Sequence, residues 1–332
     1  MTEGTDPLAG RTIAVIGSGY MGGGIAQVLA LAGARVRLAD LDAATATADR
    51  DRLISEARRF ADDGLFPAHA ADTIADRVEA SAGYEQAVDG ADFVEEAVPE
   101  KIDIKHDVLR RVSAATAPDT VIGSNTSTIL IGRIAEAVEH PERFLGVHFS
   151  NPAPFIPGVE VIAHAGTDPA ILPGVCEIVR ATGKQPALIS DAEGFVLNRL
   201  QYALFSEASA LVDEGIASAE DVDTVVRTTF GFRLPFFGPF AIADMAGLDV
   251  YKFCYESMQT RWPERFATPR ALAEHVENGR LGTKSGGGFL DVPAERVPEL
   301  VAYRNTAYVR MQQLLDELGP APIRNEEKET DQ

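Results

Sequence analysis

The stretch from Arg11 to Asp40 constrains the fold of this chain more than any other. A β-branched run, Arg11 to Gly17 (RTIAVIG), stops at a glycine; a helical pattern follows from Tyr20 to Ala32, then a second apolar run from Ala34 to Ala39 that ends in Asp40. Strand, glycine turn, helix and strand in that order make a right-handed parallel unit. Gly17, Gly19 and Gly22 fall in the spacing G-x-G-x-x-G at the turn itself, with Tyr20 and Met21 between the last two. The first glycine permits the tight turn, the second lets a pyrophosphate approach the backbone, and the third lets helix and strand pack closely. Free N–H groups at the helix start then meet the phosphates. Asp40 lies 18 residues beyond Gly22, near the roughly 20 expected of a carboxylate that accepts from ribose hydroxyls. A 2′-phosphate is repelled there, which favours NAD over NADP, although Arg35 and Arg37 stand in the same strand and arginines near it can accept a phosphate. The expected cofactor-binding positions here are Gly17, Gly19, Tyr20, Met21, Gly22 and Asp40.

Downstream, Asp42 to Asp63 and Pro67 to Arg77 read as two polar-faced helices inserted between strands, joined by the acidic turn ADDGLFP. Ala91 to Val98 is the next strand, and Pro99 and Glu100 lead from it into a helix carrying Lys101 and Lys105. Ligands of an open parallel sheet bind at strand ends, which puts Glu100 and Lys105 at the cofactor edge; for Lys105 a helix-start charge is the alternative. A strand at Thr120 to Gly123 ends in Ser124, Asn125, Thr126, Ser127 and Thr128. Five small hydrogen-bonding residues there make an N-cap for a helix over 129–138, a polar platform for substrate, or both.

Two further strand runs, Phe144 to Phe149 and Val159 to Ile162, flank a connection bearing Pro152, Pro154 and Pro157. His148 ends the first run and Glu160 sits inside the second, so a tight connection brings an imidazole and a carboxylate face to face across twelve positions. A carboxylate on one ring nitrogen fixes the tautomer and suits the other nitrogen to proton transfer near neutral pH. His148 and Glu160 are therefore the expected acid/base pair of a dehydrogenase.

Asp168 to Thr182 reads as a helix and Gln185 to Ser190 as a closing strand; from Gly194 onward the strands stop. Apolar residues at helical spacing mark 195–214, 218–229, 241–259 and 269–278, and Ser218 with Asp221 resembles a capping box. Asn198 lies one turn into the first of these helices, where its amide either donates to a carbonyl oxygen of a ligand or is paired internally. The oily segment FRLPFFGPFAIADMAGLDVY, 232–251, reads as a helix-packing or subunit interface. The expected fold is α/β: a Rossmann-like, mostly parallel sheet with a helical insertion over 8–191, an all-helical C-terminal domain over 192–318, and a disordered charged tail over 319–332. A formal net charge of −20 disfavours nucleic acid and anionic membranes as partners. No apolar run reaches membrane-span length and the first ten residues lack the regions of a secretory signal, so a cytoplasmic protein is expected.

GSGYMGGGIAQV, DFVEEAVPE, SNTSTILIGRIA, RFLGVHFSNP, VEVI, GFVLNRL, GPFAIADMAGLD and GTKSGGGFLDV, in this order, resemble the two-domain 3-hydroxyacyl-CoA dehydrogenase family from Thr12 to Leu290. The resemblance implies NAD-dependent conversion of a 3-hydroxyacyl to a 3-oxoacyl compound. It makes His148 the general base, Glu160 its orienting carboxylate, and Ser127 and Asn198 holders of the substrate oxygens. Asp40, Glu100, Lys105 and Asn151 become NAD contacts, and the helical domain becomes the means of pairing two subunits. The substrate is a small molecule, and here the chain departs from the family pattern. Relatives acting on CoA thioesters usually carry lysines around the turn that is ADDGLFP here, and the motif usually written HFFNP is HFSNP. Ser150, the prolines and DMAGLD resemble a branch that oxidises carboxylated non-CoA hydroxy compounds or hydrated aldehydes, such as the pyridine-carboxylate dehydrogenase of vitamin breakdown. A non-catalytic NAD-binding or structural protein is the alternative class, and it predicts a broken acid/base set, whereas His148, Glu160, Ser127 and Asn198 are all present.

Overall fold

A computed structural model of the chain describes residues 6–322. Among them the chain divides into two compact units, one ending at Leu204 and the other beginning at Phe205. The first unit opens with β1 (Thr12–Ile16), α1 (Tyr20–Leu31) and β2 (Arg35–Ala39), followed by α2 (Ala43–Asp62), α3 (Ala70–Arg77), β3 (Val78–Ala80), α4 (Tyr84–Val88) and β4 (Phe93–Glu96). It continues through α5 (Ile102–Ala115), β5 (Val121–Ser124), α6 (Ile131–Ala135), β6 (Phe144–Phe149), β7 (Gly158–Ala163), α7 (Leu172–Ala181) and β8 (Gln185–Ser190) into the first half of α8 (Leu197–Asp213).

Eight strands form one sheet in the order β3-β2-β1-β4-β5-β6-β7-β8, with every neighbour parallel except the antiparallel pair β6 and β7. The strand order reverses direction between β1 and β4, the place where open sheets of this type bind ligands at the strand ends. One face packs β-branched residues such as Val15, Val147 and Val161 against α1 and α7; the other packs Ile16, Val94 and Ile122 against α4 to α6. Leu53, Ala57 and Ile74 of the inserted helices are buried in the core of the first face, while the outer faces of α2 and α3 and the turn 62–65 are exposed. Asp42 starts α2 by accepting from the Thr45 N–H at 2.8 Å.

The second unit is helical: the rest of α8, then α9 (Ala219–Thr228), α10 (Phe230–Arg233), α11 (Pro239–Ala246), α12 (Leu248–Gln259), α13 (Arg270–Glu277) and α14 (Val297–Leu318). Ser218 caps α9 by accepting from the Asp221 N–H, the first bond of a capping box, and its hydroxyl donates to the Asp221 carboxylate. The helix expected over 241–259 is two helices broken at Gly247, whose φ of +104° only glycine adopts without strain. Four elements escaped the sequence reading: the three-residue β3, the one-turn α4 and α10, and the 22-residue α14. Of the tail expected over 319–332, residues 323–332 lie outside the described residues. Among the described residues no helix is long and apolar enough to cross a membrane.

One buried group stands apart. Glu95 of β4 has no exposed surface and neither carboxylate oxygen has a hydrogen-bond partner; the adjacent strand makes room with Gly123, where a Cβ would sit 2.4 Å from Glu95 Oε2. Burial, then the neighbouring Glu96 charge, push its carboxyl well above the usual range against the pull of Lys105. An acid with a raised folded-state pKa supports folding fully below its unfolded value and loses that support as pH rises through the folded value. Glu95→Gln should therefore gain stability relative to the parent by about 1 kcal/mol or more between pH 5 and pH 8. Chemical denaturation at both pH values checks this, and a pH-independent difference contradicts it.

Candidate active site

β6 and β7 pair antiparallel with His148 directly opposite Glu160. Side chains opposite one another project from the same face, which turns the expected juxtaposition into a contact. His148 Nδ1 lies 2.9 Å from Glu160 Oε2, and its Nε2 lies 3.0 Å from Ser127 Oγ. His148 is 5% exposed and Glu160 9%. The second Glu160 oxygen, Oε1, accepts from the Val196 and Leu197 N–H groups at 3.0 and 2.8 Å, the start of α8. Burial alone raises the Glu160 pKa, but the hydrogen bonds from His148, Leu197 and Val196 and the His148 charge outweigh it, leaving the carboxyl below its usual range. Phe195, just before these N–H groups, takes a left-handed φ of +49°, unusual for a bulky residue, and its ring is 6.0 Å from the imidazole. Neither the Glu160 cap on α8 nor this turn was foreseen, since nothing near Phe195 in the sequence encodes a partner 36 residues back.

Ser127 is held on three sides. Its N–H donates to Glu100 Oε1 at 2.8 Å, its carbonyl accepts from Asn198 Nδ2 at 2.8 Å, and its hydroxyl faces His148. The Asn198 amide is thus paired internally through one N–H, the second of its two expected uses, while its other N–H and its Oδ1 have no partner among the described residues. Glu100 Oε1 also accepts from Thr126 Oγ1, the Thr128 N–H and Thr128 Oγ1. Burial pushes the Glu100 carboxyl up, yet the bond from Thr126, the Lys105 charge and the backbone bonds from Thr128 and Ser127 bring it to about 2.

Lys105 corrects the expectation most sharply. It is 1% exposed, neither at an open cofactor edge nor a solvated helix-start charge. Its Nζ lies 2.8 Å from Glu96 Oε1 and 3.3 Å from Glu100 Oε2, and it also donates to the Val98 carbonyl. Glu96 takes a further 2.5 Å bond from Ser124 Oγ. Glu100 and Lys105 together hold the Ser127 loop. The five-residue polar run does not cap α6: Asp191 does, accepting from the Ile131 and Gly132 N–H groups. Thr126 Oγ1 takes only the Ile129 N–H. Asn151, the remaining expected contact, is exposed just past the end of β6.

At the glycine turn, Gly17 has φ of +99° and a Cβ there would sit 2.6 Å from the Ala97 carbonyl; one at Gly22 would sit 1.9 Å from the Gly17 carbonyl. A Cβ at Gly19 meets nothing within 4 Å, the start of α1 has no side-chain cap, and no acid stands in its first turn. Open space before uncapped N–H groups fits a pyrophosphate. Tyr20 is 65% exposed and Met21 packs partly on the core. Asp40 closes the turn, its Oδ2 accepting from the Ser18 N–H and Oγ at 2.6 and 2.8 Å. Ser18 Oγ lies 2.5 Å from Asp49, and Arg52 donates to the Ser18 carbonyl; both come from α2 and were not anticipated. Arg35 pairs with Thr12 at the far end of the strands and Arg37 donates to the Asp89 carbonyl, so neither stands beside Asp40.

Comparison with known proteins shows the family. The 3-hydroxyacyl-CoA dehydrogenase NAD-binding domain matches residues 12–192 and the C-terminal domain of that family matches 194–292. The chain is 36% identical over 310 residues to 5-formyl-3-hydroxy-2-methylpyridine 4-carboxylate 5-dehydrogenase of Mesorhizobium japonicum, covering 92% of this chain and 98% of the relative. It is 35% identical over 282 residues to a 3-hydroxybutyryl-CoA dehydrogenase of Mycobacterium tuberculosis, covering 84% and 97%. Among solved structures, a 3-hydroxyacyl-CoA dehydrogenase of Archaeoglobus fulgidus superposes with a TM-score of 0.76 at 32% identity, over 93% of this chain and 99% of that one.

Because Glu100 carries the loop that carries Ser127, Glu100→Ala should lower kcat by about ten- to a hundredfold and stability by about 1–3 kcal/mol. A lowered pKa places the stability from this carboxylate above pH 4.5, lost only as pH falls towards about 2, so the stability difference should be constant from pH 5 to pH 8. Steady-state kinetics and denaturation of the variant check both; unchanged kcat separates Glu100 from the site.

Proposed function

The chain belongs to the 3-hydroxyacyl-CoA dehydrogenase family, and from that premise we propose that it interconverts a secondary alcohol and a ketone with His148 as acid/base. It is an NAD-dependent oxidoreductase acting on CH–OH. NAD, held by the turn 17–22 and by Asp40, supplies the hydride acceptor when bound. In the oxidising direction His148 Nε2 takes the hydroxyl proton, and Glu160 stabilises the imidazolium that results. Ser127 Oγ, 3.0 Å from Nε2, marks where a hydroxyl oxygen rests against the ring, and the spare Asn198 N–H donates to the same oxygen as its charge changes. In this reading Glu100 and Lys105 position Ser127, and Asn151 lies at the exposed end of β6 beside the cofactor. The observation that carries it is the unbroken run of contacts from Glu160 through His148 to Ser127.

The family name implies a 3-hydroxyacyl thioester. A second reading, a free carboxylated hydroxy compound or hydrated aldehyde, has its own support. Asp62 and Asp63 are exposed at the tip of α2, and a polyanionic coenzyme beside them meets repulsion of about 1 kcal/mol per close pair in water. Phe60, Phe66 and Phe155 fill the ground behind them with rings 5.2 to 5.9 Å apart. The relative from Mesorhizobium japonicum takes its name from such a carboxylate. The same reading places the protein in the cytoplasm as a homodimer paired through the helical unit, where Phe205, Ile216, Phe240 and Phe253 are all more than half exposed.

One experiment tests the chemistry and sorts the substrates. NADH oxidation is followed with acetoacetyl-CoA, free 3-oxo acids and aromatic carboxylates, for the parent and for His148→Gln. Turnover should fall by about two orders of magnitude or more in the variant while NADH affinity holds. Turnover surviving within a few-fold removes His148 from the base role, and saturation by the thioester alone removes the second reading.

A further inference from the structure

Helices α10, α11 and α14 of the second unit line a cavity of about 290 Å³ with no acidic side chain in its wall. Arg233 enters from the end of α10 and Arg304 from α14, with Asn305 and Tyr308 beside it and Ile242 and Met245 of α11 as the apolar side. Both arginines are half-buried, and neither makes an ion pair among the described residues. The chain carries 50 acidic and 30 basic residues, so partners of opposite charge are plentiful. Arg265 in the same unit binds both Glu207 and Glu214, and Arg280 binds Asp291. Two like charges partly withdrawn from water cost stability unless an anion sits between them.

The remaining polar groups, Asn305 and Tyr308, include further donors. Arg304 Nε and Nη2 donate to Asn305 Oδ1 at 3.1 and 2.9 Å, which orients the guanidinium without neutralising it, and the Asn305 side-chain N–H groups have no partner among the described residues. Tyr308 is fixed by the rings of Phe232 and Phe236, 5.7 and 6.1 Å away, and its hydroxyl has no partner among the described residues. Guanidinium forks match the two oxygens of a carboxylate, and the apolar wall needs a body to cover it, which inorganic phosphate lacks. The volume suits a one-ring or short-chain acid and falls short of a dinucleotide.

We propose that this cavity binds a small organic acid, its carboxylate on Arg233 and Arg304 and its apolar part against Ile242, Met245 and the Tyr308 ring. The proposal does not rest on the substrate reading above. Calorimetric titration of the full chain with benzoate, benzyl alcohol and inorganic phosphate tests it. Benzoate should saturate the parent and His148→Gln alike, Arg233→Gln and Arg304→Gln should each weaken it by about tenfold or more, and Arg304→Lys by less. Benzyl alcohol should not bind. The idea is overturned if benzoate fails to saturate the parent, if both glutamine variants bind as the parent does, if phosphate binds more tightly than benzoate, or if His148→Gln abolishes binding. Circular dichroism of each variant reports folding, and salt dependence of benzoate binding to the parent gives a reading free of any variant: affinity that does not fall with salt also overturns it.

Discussion

Glu160 is the group on which the rest of the site depends. A carboxylate in a sheet interior is stable only when its oxygens are used, and here one oxygen takes the imidazole while the other takes two backbone N–H groups at the start of α8. Those bonds hold its pKa down despite burial, so the group is ionised and can only accept. The consequence passes to His148: Nδ1 must carry a proton, and in the neutral ring Nε2 presents its lone pair to Ser127 and to any hydroxyl placed there. One side chain therefore bridges β6 and β7, anchors a helix, and holds the His148 ring.

A second network does for Ser127 what Glu160 does for His148. Glu96 and Glu100 share the buried Lys105, and Glu100 spends its remaining capacity on four donors of the 126–128 loop. Adjacent acids of one strand have opposite fates because strand side chains alternate between faces. Glu96 faces α5 and meets a lysine, whereas Glu95 faces Gly123 and Phe93 and finds no partner among the described residues, so burial pushes its carboxyl well above the usual range. The first is a tie between strand and loop; the second is a cost carried inside the core.

The alternation of β-branched residues, the glycines at 17, 19 and 22, and the prolines between 152 and 157 made the sheet, its phosphate turn and the His148 to Glu160 contact legible without coordinates. Each is a local pattern with one geometric outcome. What stayed hidden depends on partners distant in sequence. Lys105 looks like an exposed helix charge until Glu96 and Glu100 enclose it, and Asp191 caps a helix 60 residues earlier. Phe195 gives no residue-type hint of a left-handed turn, β3 is too short to show alternation, and the Gly247 break lies inside a continuous helical periodicity. The helix 297–318 was missed although its pattern is local, because its stripe is weakly apolar and mostly exposed.

Nitrogen-15 NMR of the protein labelled at histidine, with His148→Gln used to assign the resonances, tests the central claim most directly. In the neutral ring the account requires the proton on Nδ1, donated to Glu160, with Nε2 bare. A neutral His148 protonated on Nε2 instead would mean that Glu160 does not orient the base, and the proton-transfer role would fall with it.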